Sequence, residues 1–350
     1  MEGRTIKQIR FGVVGCSPIG FVHADAIDQI SDAALSGVMD ADYSRAELLS
    51  NNYTGANVYK DLQELLQSPD IDAVSLCLPH HLHYDFCKAA IEAGKHVLIE
   101  KPLALNVAQG EALVEAARKA DVRLGVVFQN RVVPAVQQLK ELLQANALGD
   151  IHLVDIRVKW YRDREYYKAA WRADPDKAGG GVLVTQAIHF LDLALYLIDA
   201  VKEVFCAVST IRPWLQVEDL ALGQLRFNNG IMGNMVCSTA INPEEPAILE
   251  IHGSPGSARI QENRGLVTFH LGNQQPYADA PNAHQDASVP SLVSSEGHSI
   301  VFKDFVASIL EKRNPVIDGR EALKTLYLIE SLYRSSKKGQ WIEVGGVQKR

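Results

Sequence analysis

Two side chains in this sequence stand where proton chemistry could be done. The first is Lys101, in Glu100-Lys101-Pro102, directly after the apolar run Val97-Leu98-Ile99. That run reads as a buried strand, and the proline stops its ladder. In open α/β sheets, ligands bind outside the C-terminal strand ends. A lysine there can bind a substrate hydroxyl, or donate a proton if its pKa is lowered, and an adjacent glutamate can hold it in place. The same residues also suit a surface Glu–Lys pair at a strand exit. The second is His189, on a stretch that opens with Gly179-Gly180-Gly181 and becomes helical. Thr185 lies four residues earlier, so at helical spacing the two share a face while Ile188, Leu191 and Leu195 face a core. Histidine is a base of near-neutral pKa without tuning. By pattern alone, a core histidine bonded to a carbonyl explains His189 better than a catalytic base does.

The elements that must position Lys101 read clearly. Strand and helix patterns alternate over the first 128 or so residues, which predicts a parallel sheet with crossover helices. Strands are expected at Ile9 to Val14, Ala33 to Met39, Ile71 to Leu78, His96 to Ile99 and Val122 to Gln129. Helices are expected at Ile19 to Ile30, Asp42 to Tyr53 (Leu48 and Leu49 on its apolar face), Lys60 to Gln67, His81 to Ala93 and from Asn106 to Ala120. Gly94 suits a helix C′ position and Asn106 a helix cap.

Between the first strand and first helix lies Gly12-Val13-Val14-Gly15-Cys16-Ser17-Pro18-Ile19-Gly20. A dinucleotide fold needs a glycine for the tight turn, little side chain beneath the pyrophosphate, and a glycine for helix–strand packing. Gly15 and Gly20 fill the first and third roles, and Ser17 stands where a middle glycine is usual. The helix N-terminus would then face the phosphates. Asp40 ends the second strand, where a carboxylate bonds ribose hydroxyls and repels a 2′-phosphate; this favours NAD over NADP, with Arg45 nearby as a counter-signal. Beside a nicotinamide cation, a lysine would be pushed toward its neutral form.

The texture changes near 122–130. Ile151 to Tyr161 alternates like a strand, and strand-like runs separated by turns such as Asn228-Asn229-Gly230 fill Val201 to about Leu271. Gly272 to Gly297 reads as loop, Ser299 to Glu311 and Arg320 to Ser335 as helices, and Trp341 to Val344 as a short strand. Arg162, Trp171 and Arg172 belong to a segment rich in aromatics and arginines, from Trp160 to Tyr167 and on to Arg172. It suits a sugar ring, a carboxylate or a diphosphate, or equally a subunit contact. His80, His81 and His83 lie too close on one helix start to share a face, so no metal is expected there.

Composition narrows the classes further. The chain has 350 residues, which favours two domains; 47% are hydrophobic and 22% charged. A net charge of −7 and pI near 5.9 argue against nucleic acid and a polybasic membrane patch as partners. No stretch approaches the roughly 18 apolar residues of a membrane span, and Met1-Glu2-Gly3-Arg4 does not begin a secretory segment. Five dispersed cysteines suit reduced thiols and a cytoplasmic protein.

These residues together resemble the Gfo/Idh/MocA oxidoreductase family, named for glucose–fructose oxidoreductase and inositol dehydrogenase. The resemblance is carried by Ile71-Asp72-Ala73-Val74, Leu78-Pro79-His80-His81-Leu82-His83, Ala93-Gly94-Lys95-His96-Val97 and Glu100-Lys101-Pro102-Leu103-Ala104. In the second half it is carried by Asn130-Arg131 with Pro134, Trp171-Arg172, and the three glycines followed by His189 and Asp192. Most members have Pro-Asn where this chain has Pro79-His80. The resemblance implies an α/β Rossmann N-terminal domain (residues 1–125) and an α+β C-terminal domain (126–350) with a large open mixed sheet. A C-terminal helix could pack back on the first domain. It implies an active site between the domains, a homodimer or homotetramer, and oxidation or reduction of a carbinol on a sugar, polyol, sugar acid or nucleotide sugar. Cyclic dihydrodiols, redox-neutral use of NAD and a non-catalytic NAD-binding sensor are the alternatives.

On that resemblance the cofactor-binding set is Gly15, Ser17, Pro18, Ile19, Gly20, Asp40, Leu78, Pro79, His80, His83, Glu100, Lys101 and Gln129. Lys101, His189 and Thr185 are the expected catalytic residues; these three with Arg162, Trp171 and Arg172 are expected to bind substrate. Many members carry Asp or Asn where this chain has Thr185. Here His189 works without a carboxylate, takes one from Asp192, or leaves more of the proton transfer to Lys101.

Overall fold

Short apolar runs bounded by turn residues become strands buried on both faces, and the first half of the chain is built from them. The computed structural model describes residues 8–53, 55–261, 266–271 and 295–345. The chain divides into two units. One holds the chain up to Gln129 and the segment that ends at Ala322; the other holds the chain from Asn130 through the intervening strands, and Leu323 onwards. The sequence boundary at 125–126 lies just ahead of this division.

The first unit alternates β1 (Ile9–Val14), α1 (Pro18–Asp28), β2 (Ala33–Met39), α2 (Tyr43–Ser50), β3 (Asn57–Val58), α3 (Leu62–Gln67), β4 (Ala73–Leu76), α4 (His83–Glu92), β5 (His96–Glu100), α5 (Val107–Ala120) and β6 (Leu124–Val127). The sheet is parallel throughout, in the order β3-β2-β1-β4-β5-β6. The order reverses between β1 and β4, which opens the ligand-binding crevice of a doubly wound sheet. Local chemistry sets the helix ends: the side chains of Asp42, Asp61 and Asn106 cap α2, α3 and α5, and Gly94 leaves α4 at φ +72°. Leu48 was expected on an apolar face but is 60% exposed, because the buried face of α2 is formed by Ala46 and Leu49. The helix expected from His81 opens as a single 3-10 turn over His80–Leu82.

The second unit contains α6 (Pro134–Gln144), β7 (Ile151–Lys159), α7 (Pro175–Ala178), α8 (Ile188–Leu197), β8 (Val201–Ser209), β9 (Leu220–Phe227), β10 (Met232–Ser238), β11 (Ile248–Gly253), β12 (Gly256–Gln261) and β13 (Leu266–Leu271). The chain continues through α9 (Ser295–Leu310), α10 (Gly319–Lys338) and β14 (Ile342–Glu343). Eight strands run in the order β13-β12-β11-β7-β10-β9-β8-β14, with β7 and β10 parallel and the other pairs antiparallel. Along β9, Ala221, Leu225 and Phe227 are buried, while Leu222, Gln224 and Arg226 point out, the alternation of a sheet with one open face. Sequence reading missed α6, whose signals were Pro134 at its first position and the buried stripe of Val136 and Leu139.

Helix α9 belongs to the first unit: it packs along α1, and its Phe302 and Phe305 rings lie 5.7 and 6.3 Å from Phe11. It starts at Ser295, ahead of the expected Ser299. The rest of the loop expected up to Gly297, and the reading of Met1 to Arg4, lie outside the described residues. One expectation is corrected. The helical run Pro175–Leu197 is long and apolar enough to cross a membrane, with a mean hydropathy of 1.4. As 78% of its apolar window is buried inside the protein, its composition is that of a core helix.

Candidate functional site

In the first unit, the glycine loop is determined by close backbone approach. Gly15 sits at φ +96°, and a side chain there would run into the Cys77 carbonyl; one at Gly20 would run into the Gly15 carbonyl. Gly15 N–H bonds the Met39 carbonyl at 2.8 Å. Asp40 anchors the loop as well: one carboxylate oxygen accepts from Cys16 N at 2.7 Å and the other from Asp42 N at 2.8 Å. Burial, with the Asp40 charge beside it, pushes the Cys16 thiol up to about 12. Arg45 pairs with Asp42 at 3.3 Å. Ser17 is the N-cap of α1 and Pro18 opens the helix, but the Ser17 side chain makes no capping bond, unlike the caps of α2, α3 and α5. The first amides of α1, from Ile19 and Gly20, thus receive no bond from the Ser17 side chain.

The exits of β4 and β5 are tied together by His83. Its Nδ1 lies 2.6 Å from the Pro102 carbonyl and its Nε2 2.9 Å from the Leu78 carbonyl, with the ring fully buried. Burial pushes its pKa down against those two carbonyls. His83 thus braces the Leu78-Pro79 turn against the Lys101-Pro102 turn. His80 is buried with its ring 5.7 Å away, edge-on. Lys101 N–H donates to Glu100 Oε2 at 3.2 Å. Gln129 ends the first unit, and its buried Oε1 has no hydrogen-bond partner among the described residues.

In the second unit, the three glycines each meet a demand. Gly179 leaves α7 at φ +80°, Gly180 sits at φ +144° against the Tyr333 hydroxyl, and a side chain at Gly181 would run into the Glu218 carbonyl. Glu218 clamps this turn. Its carboxylate accepts from Gly181 N at 2.7 Å, Leu183 N at 3.1 Å and the Tyr333 hydroxyl at 2.7 Å. Burial pushes its pKa up against those three donors. Sequence reading missed Glu218 and Tyr333; the available signal was a carboxylate pair, Glu218-Asp219, inside an apolar stretch.

From that clamp the chain winds through one π-helical turn, Leu183–Ala187, before α8. The expectation that Thr185 and His189 sit one α-turn apart is corrected accordingly. The Thr185 hydroxyl donates to the Gly181 carbonyl at 2.8 Å, the back-bonding that loosens a helix, while Glu218 holds the Leu183 amide. Between Gly181 and Ala194 only Thr185, Gln186 and His189 emerge from the core. Both oxygens of Asp192, considered as a partner for His189, are taken by the Arg131 guanidinium at 2.7 Å each, and Thr325 donates to one at 2.9 Å. The Asn130-Arg131 and His-x-x-Asp motifs are therefore two halves of one buried fork.

The aromatic segment lies beside this helix. Gln186 Nε2 donates to the Tyr166 hydroxyl at 2.8 Å. The Tyr166 ring lies 4.6 Å from the Arg172 guanidinium and 5.9 Å from that of Arg162; Arg172 also covers Trp171 at 5.2 Å. Arg162 is paired with Glu244 at 3.0 Å, whereas Arg172 donates to the Tyr166 carbonyl at 3.1 Å.

Residues 9–128 match a family model described as oxidoreductase family, NAD-binding Rossmann fold, and residues 136–259 match the GFO/IDH/MocA C-terminal domain. The chain is 27% identical to D-glucoside 3-dehydrogenase of Escherichia coli, covering 97% of this chain and 99% of that one. It is 31% identical to myo-inositol 2-dehydrogenase of Thermotoga maritima, over 76% and 80% of the two chains. Among solved structures, the WlbA dehydrogenase of Bordetella pertussis in complex with NADH and UDP-GlcNAcA superimposes with a TM-score of 0.84 at 29% identity, over 97% of this chain and 99% of that one.

Proposed function

Since the chain belongs to the Gfo/Idh/MocA oxidoreductase family, we propose that it transfers hydride between nicotinamide and a carbinol carbon of a sugar, polyol, sugar acid or nucleotide sugar. The observation that carries this reading is the choice of side chains that emerge from the core over Gly181 to Ala194: Thr185, Gln186 and His189. A histidine presented with two polar neighbours is equipped for proton transfer rather than packing.

The residues of the first unit fit a dinucleotide. The amides opening α1 lack a side-chain cap, and Gln129 Oε1 is a buried acceptor in need of a donor. Gly15 to Gly20 would hold the pyrophosphate, Asp40 the ribose hydroxyls, and Gln129 would accept a hydrogen bond from the nucleotide. The acidity of Asp40, with Arg45 engaged by Asp42, supports NAD over NADP. Bound NAD supplies the hydride acceptor. Lys101 binds and polarises the substrate hydroxyl, and His189 takes its proton. Thr185 has donated its own hydrogen to Gly181, so toward substrate it acts as an acceptor. Arg172 with Trp171 and Tyr166 forms an amphipathic wall for a sugar ring and any acidic group it carries.

The same reading extends to a homo-oligomer paired through the open face of the eight-stranded sheet, where Leu222 is 45% exposed. It also extends to a reducing cytoplasm, which suits five free, buried cysteines. The test is NADH formation by purified protein across glycosides, polyols, sugar acids, nucleotide sugars and a cyclic dihydrodiol, with Lys101→Met alongside. Turnover on one group that disappears in the variant supports the reading; no turnover on any of them, with NAD bound, overturns it.

A further inference from the structure

Behind Lys101 lies a polar cluster drawn from four elements of the first unit. His23 of α1 has its Nδ1 2.6 Å from Ser75 Oγ on β4 and its Nε2 3.0 Å from Glu100 Oε1 on β5. His298 of α9 brings its Nε2 to 3.7 Å from the same oxygen, beyond hydrogen-bond reach, and neither of its ring nitrogens has a hydrogen-bond partner among the described residues. Both imidazoles and Ser75 have no exposure, and the Glu100 side chain is 12% exposed. The Cys77 thiol lies 3.1 Å from His23 Nδ1, and Phe302 meets the His23 ring edge-on at 5.1 Å.

Such a cluster costs stability where an apolar core would not, so it needs a role besides stability. Burial pushes the His23 pKa down, which leaves the ring neutral with one N–H. Burial also pushes the Cys77 thiol well up and keeps it protonated. The arrangement that satisfies both nitrogens of His23 has Ser75 O–H donating to Nδ1 and Nε2–H donating to Glu100. Lys101 N–H donates to the other Glu100 oxygen at 3.2 Å. Burial opposes the Glu100 charge, but the two imidazoles outweigh it and hold the carboxyl well below its usual range. All the protons in the chain point at Glu100, and Glu100 points at the backbone of Lys101.

We propose that His23, His298 and Ser75 are positioning residues for Lys101: through Glu100 they fix its backbone and set a negative charge behind its ammonium. This rests on the assignment of Lys101 to the substrate hydroxyl. A fixed anion there favours the ammonium and extends the alkaline limb of kcat/KM that Lys101 governs.

The experiment compares pH profiles, kcat and KM for wild type, His298→Phe, His298→Gln, Ser75→Ala, Glu100→Gln and Lys101→Met on a substrate found active. Glu100→Gln should lower kcat about tenfold, the size of one hydrogen bond to a charged group, and His298→Phe, which removes a polar ring 3.7 Å from that carboxylate, by a smaller factor, with KM for NAD unchanged. Their alkaline limb should move to lower pH, and His298→Gln, which keeps a polar N–H in the cluster, should recover most of the His298→Phe loss. Ser75→Ala removes one hydroxyl from a buried strand and should show the same shift on a smaller scale even if the ring variants fold poorly. Full turnover in Lys101→Met would sink the assignment of Lys101 itself. An inactive Lys101→Met beside variants that lose only melting temperature, with wild-type kcat and pH limb, would overturn the positioning role.

Discussion

Arg131 and Asp192, 61 residues apart, form a two-pronged ion pair with both side chains almost wholly buried, at 3% and 1% exposure. Tyr196 lies 5.0 Å from the guanidinium and Thr325 caps the carboxylate. The pair ties the start of the second unit to the helix that carries His189. Asp192→Asn or Arg131→Met should cost about 3–5 kcal/mol, because each leaves its partner's charge buried without its counter-ion. The double variant Arg131→Met with Asp192→Leu should cost less than either single change. Urea unfolding of the four proteins measures this, and a double variant worse than both singles would contradict it.

His189→Ala should lower kcat by about 10²–10⁴-fold, the range for losing a general base, while NADH affinity measured by fluorescence stays at the wild-type value. Equal loss of kcat and of NADH affinity would point to a packing role instead.

Asp40→Ser removes the charge that disfavours a 2′-phosphate, so the ratio of kcat/KM for NADP to that for NAD should rise by about tenfold or more. Cys16 and Asp42 also lose their acceptor, so a drop in melting temperature should accompany the change. A wild type that already prefers NADP would refute the role given to Asp40.

Burial holds His23, His83 and His96 below their ordinary pKa of 6.5. Unfolded histidines bind protons more readily, so their contribution to stability is complete above that value. It is lost as pH falls from there toward the folded pKa values. Urea midpoints measured between about pH 8 and pH 5 should therefore fall on acidification, and His83→Gln should flatten the slope. A midpoint that rises over that interval would mean these rings are charged in the folded protein.

The first unit was largely legible because its signals are local. Strand runs, the cap at Asn106, Gly94, and the glycines at 15 and 20 each report on neighbours within a turn of backbone. The structure adds the reasons, such as the Cys77 and Gly15 carbonyls that leave no room for a side chain. Leu48 and the start of α9 were misjudged at element ends, where one residue of register decides exposure. Helix α6 was overlooked although Pro134 announced it.

What the residues alone determined is a loop suited to a dinucleotide and, through their resemblance to a family, a class of chemistry that gives roles to a lysine at a strand exit and a histidine on a helix opened by glycines. What only the tertiary structure decided is which groups act together. Glu218 reaches the glycine turn from 37 positions away in the chain, and His23 reaches Glu100 from 77. Asp192 forks with Arg131, and a π turn resets the spacing of Thr185 and His189. These pairings join elements far apart in sequence. Each is favoured because a buried donor or acceptor must find its partner wherever the fold brings one.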